Sequence, residues 1–272
     1  MSAQRFVRSA LTQLWLPAVA VVLWFAASAR STNFYFPPLS TILRHLWTGL
    51  SDGPLLGDLG YSLRNIVGGL LISTVLGVAA GVTIGENTRL RQATAPMLNL
   101  ARATPMVALV PVFILTMGIG AAPKVCVIAL GTFWPILLNT ISGVSGVSPS
   151  VRETARSYRI PRRLHMAKVV LPGALPQIFA GLRVALSLAV VLMVVSEIYG
   201  SNVGLGNFIL QSGSNFQVAD TWAGTILIGI LGYLLSLLVL AAEQVSLGWY
   251  FQRAPRARRV STLGRGRDRA TA

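Results

Sequence analysis

Apolar stretches of about twenty residues recur along this chain, the length a helix needs to cross the roughly 30 Å hydrocarbon core of a bilayer. Nothing constrains the fold more. Inside hydrocarbon every backbone N–H and C=O must be satisfied without water, which leaves helices or a closed barrel. Six such stretches are read at about 14–29, 61–85, 96–119, 124–147, 171–198 and 221–247. The residues are 53% hydrophobic and only 11% charged, whereas a soluble domain carries about twice that charged fraction. The expected fold class is all-α and integral to a membrane. A single domain over 14–250 follows a short segment 1–13 and precedes a basic tail 251–272, whose composition predicts disorder.

A formal net charge of +15 raises nucleic acid as a partner, but its placement excludes that reading. The basic residues cluster at Arg5 and Arg8, Arg89 and Arg91, Arg152 to Lys168, and Arg253 to Arg269, while the alternate connections carry only Arg30, Arg44, Arg64 and Lys124. This is the asymmetry by which cytoplasmic loops are recognised, so six crossings place both termini in the cytoplasm. Ala27-Ser28-Ala29 looks like a signal-peptide cleavage site behind a short apolar core; the segment is read as a retained first span.

Polar and small residues inside the spans fall in patterns. Gly69, Ser73, Gly77, Gly81 and Gly85 recur every four residues and share one helical face, a stripe that lets two helix backbones approach closely. Gly173, Gln177, Gly181, Ala185 and Ala189 form a second stripe in the fifth span. Three residues are candidates for a translocation pathway. Arg183 lies deep in the fifth span, where an arginine must face protein, water or a counter-charge; it either draws an anion into a cavity or pairs with Glu197, Glu243 or helix-terminal carbonyls. Arg102 either snorkels to the interface or faces a cavity beside the bend that Pro105 and Pro111 impose. Gln177 meets either solute or a neighbouring helix.

The hydrophilic segment 148–170 separates the fourth and fifth spans. Ser148-Pro149 reads as an N-cap with proline at the first helical position, and Ser150 with Glu153 as an alternative capping box. A short surface helix begins there, with Val151, Ala155 and Tyr158 on one face and Arg152, Arg156, Arg159 and Arg163 on another. Its order, Glu153-Thr154-Ala155, three residues, Arg159, nine residues, then Val169-Val170-Leu171-Pro172, resembles the coupling loop of ATP-binding-cassette (ABC) importer permeases. That loop reads Glu-Ala-Ala, three residues, Gly, about nine residues, Ile-x-Leu-Pro. Thr154 replaces the second residue and Arg159 the glycine. Either Arg159 takes the left-handed conformation, at about 1 kcal/mol, or Pro161 makes the break by holding Ile160 extended. Phe133 to Thr140, Leu171 to Pro176, Gly181-Leu182-Arg183 and Gly204-Leu205-Gly206 are similar to segments of the sulfonate, nitrate and taurine permeases of that family.

The resemblance implies a bacterial inner-membrane permease subunit that pairs with a second copy, less often with a different permease, along the translocation path. Two ABC ATPase subunits would dock on Glu153, Thr154, Ala155, Arg156, Tyr158 and Arg159, and an extracytoplasmic solute-binding protein would dock outside, with membrane lipid around the whole. ATP and Mg would sit on the ATPase partner, and this chain would bind no cofactor of its own. Its own residues agree: Gly120 to Val125 lacks the Gly-Lys-Ser/Thr core of a phosphate-binding loop, and no His-Glu-x-x-His motif or metal cluster is present. The alternative is a secondary transporter or channel independent of an ATPase.

Overall fold

The computed structural model describes residues 3–248; the side chains of residues 3–14, 17 and 102 lie outside that description, as does the basic tail. The described chain is helical. The first helix, α1, spans Ala3–Ser28, and its described apolar part is Ala18–Ser28. The connection expected between the spans at 14–29 and 61–85 instead contains a helix, α2 (Leu39–Ser51), and the first turn and a half of α3 (Leu55–Glu86). Pro38 and Pro54 stand immediately before these two helices, where a missing N–H costs nothing. On α2, Leu39, Ile42 and Leu46 are buried while Leu43 and Trp47 are exposed, an amphipathic pattern of a surface helix.

The segment expected to be an inner loop at 86–95 is also mostly helical. Asn87 caps α4 (Thr88–Ala103), its Oδ1 accepting from the backbone N–H groups of Arg89 and Leu90 at 3.0 and 3.2 Å. The expected third span at 96–119 is broken. It is extended at Thr104-Pro105, continues as a 3-10 turn (Met106–Leu109) and resumes as α5 (Val110–Met117), bent by 75°. Pro105 supplies the break and Pro111 lies in the first turn of the new helix. Gly118 and Gly120, both at positive φ, then reverse the chain into α6 (Ala121–Ser145).

After α6 come α7 (Pro149–Ser157), a four-residue α8 (Arg162–His165), a π turn (Met166–Val170) and α9 (Leu171–Gly200). From Arg162 to Gly200 these form one helix of 39 residues, so the fifth span begins nine residues before its expected start. The expected connection at 199–220 contains α10 (Leu205–Ser214), and α11 (Val218–Ser246) closes the described fold. Among the described residues four helices are long and apolar enough to cross a membrane, five if the bent pair is one span.

α6 lies at the centre, with α3 on one side and α9 on the other. The glycine stripe of α3 forms the first seam, as its spacing predicts. A Cβ on Gly69 would lie 2.5 Å from Ile128, on Gly77 3.0 Å from Ile136, on Gly81 2.5 Å from Thr140 and on Gly85 2.8 Å from Val144. Between the first two of these, Thr132 donates to Ser73 Oγ at 2.8 Å. The constant offset shows that α3 and α6 run parallel, so the broken segment between them must carry the chain back along the bundle. The α6–α9 seam is antiparallel, with Gly143 against Ala174 and Gln177, and Gly181 against Pro135 and Asn139. On the second stripe, Gly181, Ala185 and Ala189 are buried, whereas Gly173 and Gln177 are exposed.

Candidate functional site

α7 is short and mostly exposed, and only Ala155 on it is buried. Apolar packing therefore does not hold it in place. Arg152 does: one guanidinium nitrogen donates to Glu86 at the end of α3 at 2.7 Å, and the other to the carbonyl of Val144 at the end of α6 at 2.6 Å. A charge-assisted pair of this kind, with both side chains largely covered, is stronger than a surface ion pair. The sequence reading puts Arg152 with the solvated arginines and Ala155 with Val151 and Tyr158. The structure instead turns Arg152 and Ala155 toward the bundle and leaves Val151 and Tyr158 exposed. Nine residues carry too little apolar area to set the rotation of this helix, so the guanidinium sets it. Only long-range neighbours reveal this, since nothing near Arg152 in sequence announces Glu86.

The start of α7 follows the Ser148-Pro149 reading, with proline in its first turn. The Ser150–Glu153 capping box does not form; Ser150 Oγ pairs with Ser148 Oγ at 2.8 Å. At the far end Arg159 itself adopts φ +50°. The N–H of Ile160 donates to Ala155 at 3.0 Å and that of Arg159 to Arg156 at 2.9 Å, the paired bonds of a Schellman cap. Of the two ways to end the helix, the chain takes the left-handed arginine, and Pro161 follows as the residue before α8. Glu153, Thr154, Arg156, Tyr158 and Arg159 are all exposed, Tyr158 at 79%. They form a continuous outward surface, with Thr154 Oγ1 occupied by the Ser150 carbonyl at 2.9 Å.

The pathway candidates are not brought together. Arg183 Nη1 lies 3.4 Å from Glu243 Oε2 on α11, the counter-charge that its depth demands. The Glu243 side chain is 7% exposed and that of Arg183 47%, so the arginine still faces outward from the subunit. Gln177 is exposed and its side chain makes no hydrogen bond among the described residues. The Arg102 side chain lies outside the description. A cavity of about 310 Å³ opens instead beside the break in the third span, lined by Thr104, Met106, Trp134, Pro135, Leu138 and Leu188 among others, and by neither Gln177 nor Arg183.

At the opposite end of the bundle from α7 lies a polar cluster that sequence reading missed. Glu197, fully buried, accepts from Ser62 Oγ at 2.8 Å and from the Gly206 N–H at 3.0 Å, with Asn65 Nδ2 at 3.4 Å. Asp58 accepts from the Gly204 N–H at 2.6 Å, and Ser62 Oγ accepts from the Leu205 N–H at 3.0 Å. Gly204, at φ +114°, lies so close to the Glu197 carboxylate that a Cβ there would sit 2.5 Å from it. Lys124, counted above as a loop charge, is 1% exposed and donates to the carbonyls of Gly120 and Gly200 at 2.5 and 2.7 Å. Two ionisable residues beside glycine-rich turns were the available signal.

A helical bundle with several membrane-length apolar helices, a broken crossing, a cavity beside the break and a small helix held against one end defines a polytopic membrane protein. The chain belongs to the family of binding-protein-dependent transport system inner membrane components, which matches residues 73–246. It is 33% identical over 238 residues to an aliphatic sulfonates transport permease protein of Bacillus subtilis strain 168, covering 87% of this chain and 86% of that one. It is 30% identical to a taurine transport system permease protein of Escherichia coli strain K12, covering 86% and 87%, and 31% identical to a nitrate import permease protein of Leptolyngbya laminosa, covering 70% and 68%. Its fold is similar to a chain of the inward-facing MetNI methionine ABC transporter, with a TM-score of 0.60 at 19% identity over 70% of this chain and 95% of that one. The chain is thus a multi-pass permease subunit of an ABC importer, not an enzyme. ATP hydrolysis belongs to a separate subunit, and solute arrives on a binding protein.

Proposed function

We propose that this permease carries a small anionic or zwitterionic solute of the sulfonate, taurine or nitrate kind, and that α7 is its coupling helix. In this reading the chain crosses the membrane six times with both termini in the cytoplasm, and it works as a homodimer in lipid. Two ATPase subunits, holding ATP and Mg, grip the exposed face of α7, and no cofactor sits on the permease itself. The observation that carries it is the build of α7. A rigidly capped helix presents Glu153, Thr154, Tyr158 and Arg159 outward, while Arg152 transmits its position to the ends of α3 and α6. The solute class rests on the relatives, and Arg183 bears on it less because Glu243 already balances its charge.

The test is affinity purification of the tagged chain in mild detergent, with mass spectrometry of what copurifies. The wild type retains a stoichiometric ABC ATPase. Glu153→Arg inserts normally but retains at least tenfold less, about 1.4 kcal/mol of docking. An ATPase retained equally by both would overturn the assignment of α7. A binding protein that copurifies with it, screened against taurine, alkanesulfonates and nitrate, tests the solute class.

A further inference from the structure

Between α7, α8 and the end of α3 lies a pocket of about 530 Å³ walled by Glu86, Arg152, Arg156, Ile160, Arg162 and His165, with Arg156 at its rim where the exposed face of α7 begins. Glu86 and Arg152 are matched to each other at 2.7 Å, and the second Arg152 donor is taken by Val144. The rest of the lining sets two arginines and a histidine beside the apolar side chains of Ala155, Ile160 and Met166. Among the described residues the Arg156 and Arg162 guanidiniums make no ion pair and no hydrogen bond, and His165 Nδ1 is buried without a partner. An orphaned buried ring nitrogen is costly. Two exposed guanidiniums line the same pocket, and their paired N–H donors suit an oxyanion.

We propose that this pocket binds a tetrahedral oxyanion, the phosphate, sulfate or sulfonate group, between Arg156, Arg162 and His165. Arg156 belongs to α7, whereas Arg162 and His165 belong to α8, so a bound anion bridges the Arg159 turn that separates the two helices. Such a bridge stiffens α7 against the start of α9. The anion has two sources, a free ion in the aqueous phase or the headgroup of an anionic lipid. Binding itself does not depend on the coupling role of α7; only its effect on transport rests on that reading.

The experiment uses the full-length permease, with whatever ATPase it retains, in nanodiscs of phosphatidylcholine. Sodium sulfate replaces sodium chloride at constant ionic strength while the unfolding midpoint is followed. The midpoint of the wild type rises saturably, as for any ligand that binds only the folded state. Arg162→Gln binds sulfate at least tenfold more weakly, and so does His165→Ala, whereas Arg163→Gln, outside the pocket, responds like the wild type. In a second arm the discs contain phosphatidylglycerol and retained lipid is counted by native mass spectrometry. If the lipid is the source, the wild type and Arg163→Gln keep it, Arg162→Gln does not, and sulfate acts only after it is washed off. A wild type flat in both arms, or Arg162→Gln and Arg163→Gln behaving alike, overturns the proposal. Loss of sulfate binding with ATPase retention intact separates this site from the docking face.

Discussion

At one end of the bundle two carboxylates, a carboxamide, a hydroxyl and an ammonium group are buried together, and three backbone N–H groups of Gly204 to Gly206 close onto them. At the other end a nine-residue helix hangs on one arginine and finishes in a left-handed arginine. Both ends are polar, yet they are built for different purposes. A buried carboxylate with several donors fixes one geometry, because no rearrangement leaves all of them satisfied. A solvated helix held by a single hook keeps its orientation but can be moved by whatever grips its outer face. The bundle thus has an anchored end, where α3, α6, α9 and α10 are tied together, and a driven end.

The largest expected effect is at the anchored end. Glu197→Leu leaves the Ser62 hydroxyl and the Gly206 N–H without their acceptor, at about 1–3 kcal/mol for each unmatched group. The unfolding midpoint in detergent should fall sharply and the yield of inserted protein with it. An unchanged midpoint would show that this end is not an anchor. Arg152→Ala should separate stability from coupling. Truncation costs about 1.5–3 kcal/mol locally, leaves the midpoint of the bundle nearly unchanged and still retains the ATPase. It lowers ATP-driven uptake severalfold, because α7 no longer pulls on α3 and α6. Uptake at the wild-type level would remove Arg152 from the transmission. The smallest effect is the sharpest test of the hinge. Arg159→Gly relieves about 1 kcal/mol of left-handed strain and should slow amide exchange across Pro149–Ser157. Faster exchange would mean that the arginine makes a compensating contact.

How far the sequence discloses this molecule depends on the range of the interaction. The α3 seam is legible because a four-residue spacing is local; at α7 local rules leave two starts, Ser148-Pro149 or Ser150 with Glu153, and two ends, Arg159 or Pro161, and the structure selects the first of each. α2 and α10 look like connections in the sequence because nearby prolines, glycines and asparagines mask a short amphipathic pattern that is stable only against its neighbours. The break at Thr104-Pro105 was signalled by proline, but not its 75° angle, which depends on how α5 packs. The Glu197 cluster and the Arg152 hook join residues 135 and 66 positions apart, and no spacing rule reaches that far. For Arg183 the sequence offers two possible partners among the acidic residues, and only the structure selects Glu243.

The α3–α6 seam also poses a problem of counting. Its facing positions repeat every four residues on both helices, about 6 Å at helical rise, so a slip of one repeat would again set small residues against larger ones. Steric fit alone cannot tell such a slip from the native alignment. One position in the series is unlike the others: Ser73 meets Thr132, hydroxyl to hydroxyl, where the rest meet a glycine. A single interhelical hydrogen bond of this sort is worth only about 0.6–2 kcal/mol in a membrane. Placed once in a periodic interface, it acts as an index mark that makes one alignment distinguishable from its neighbours.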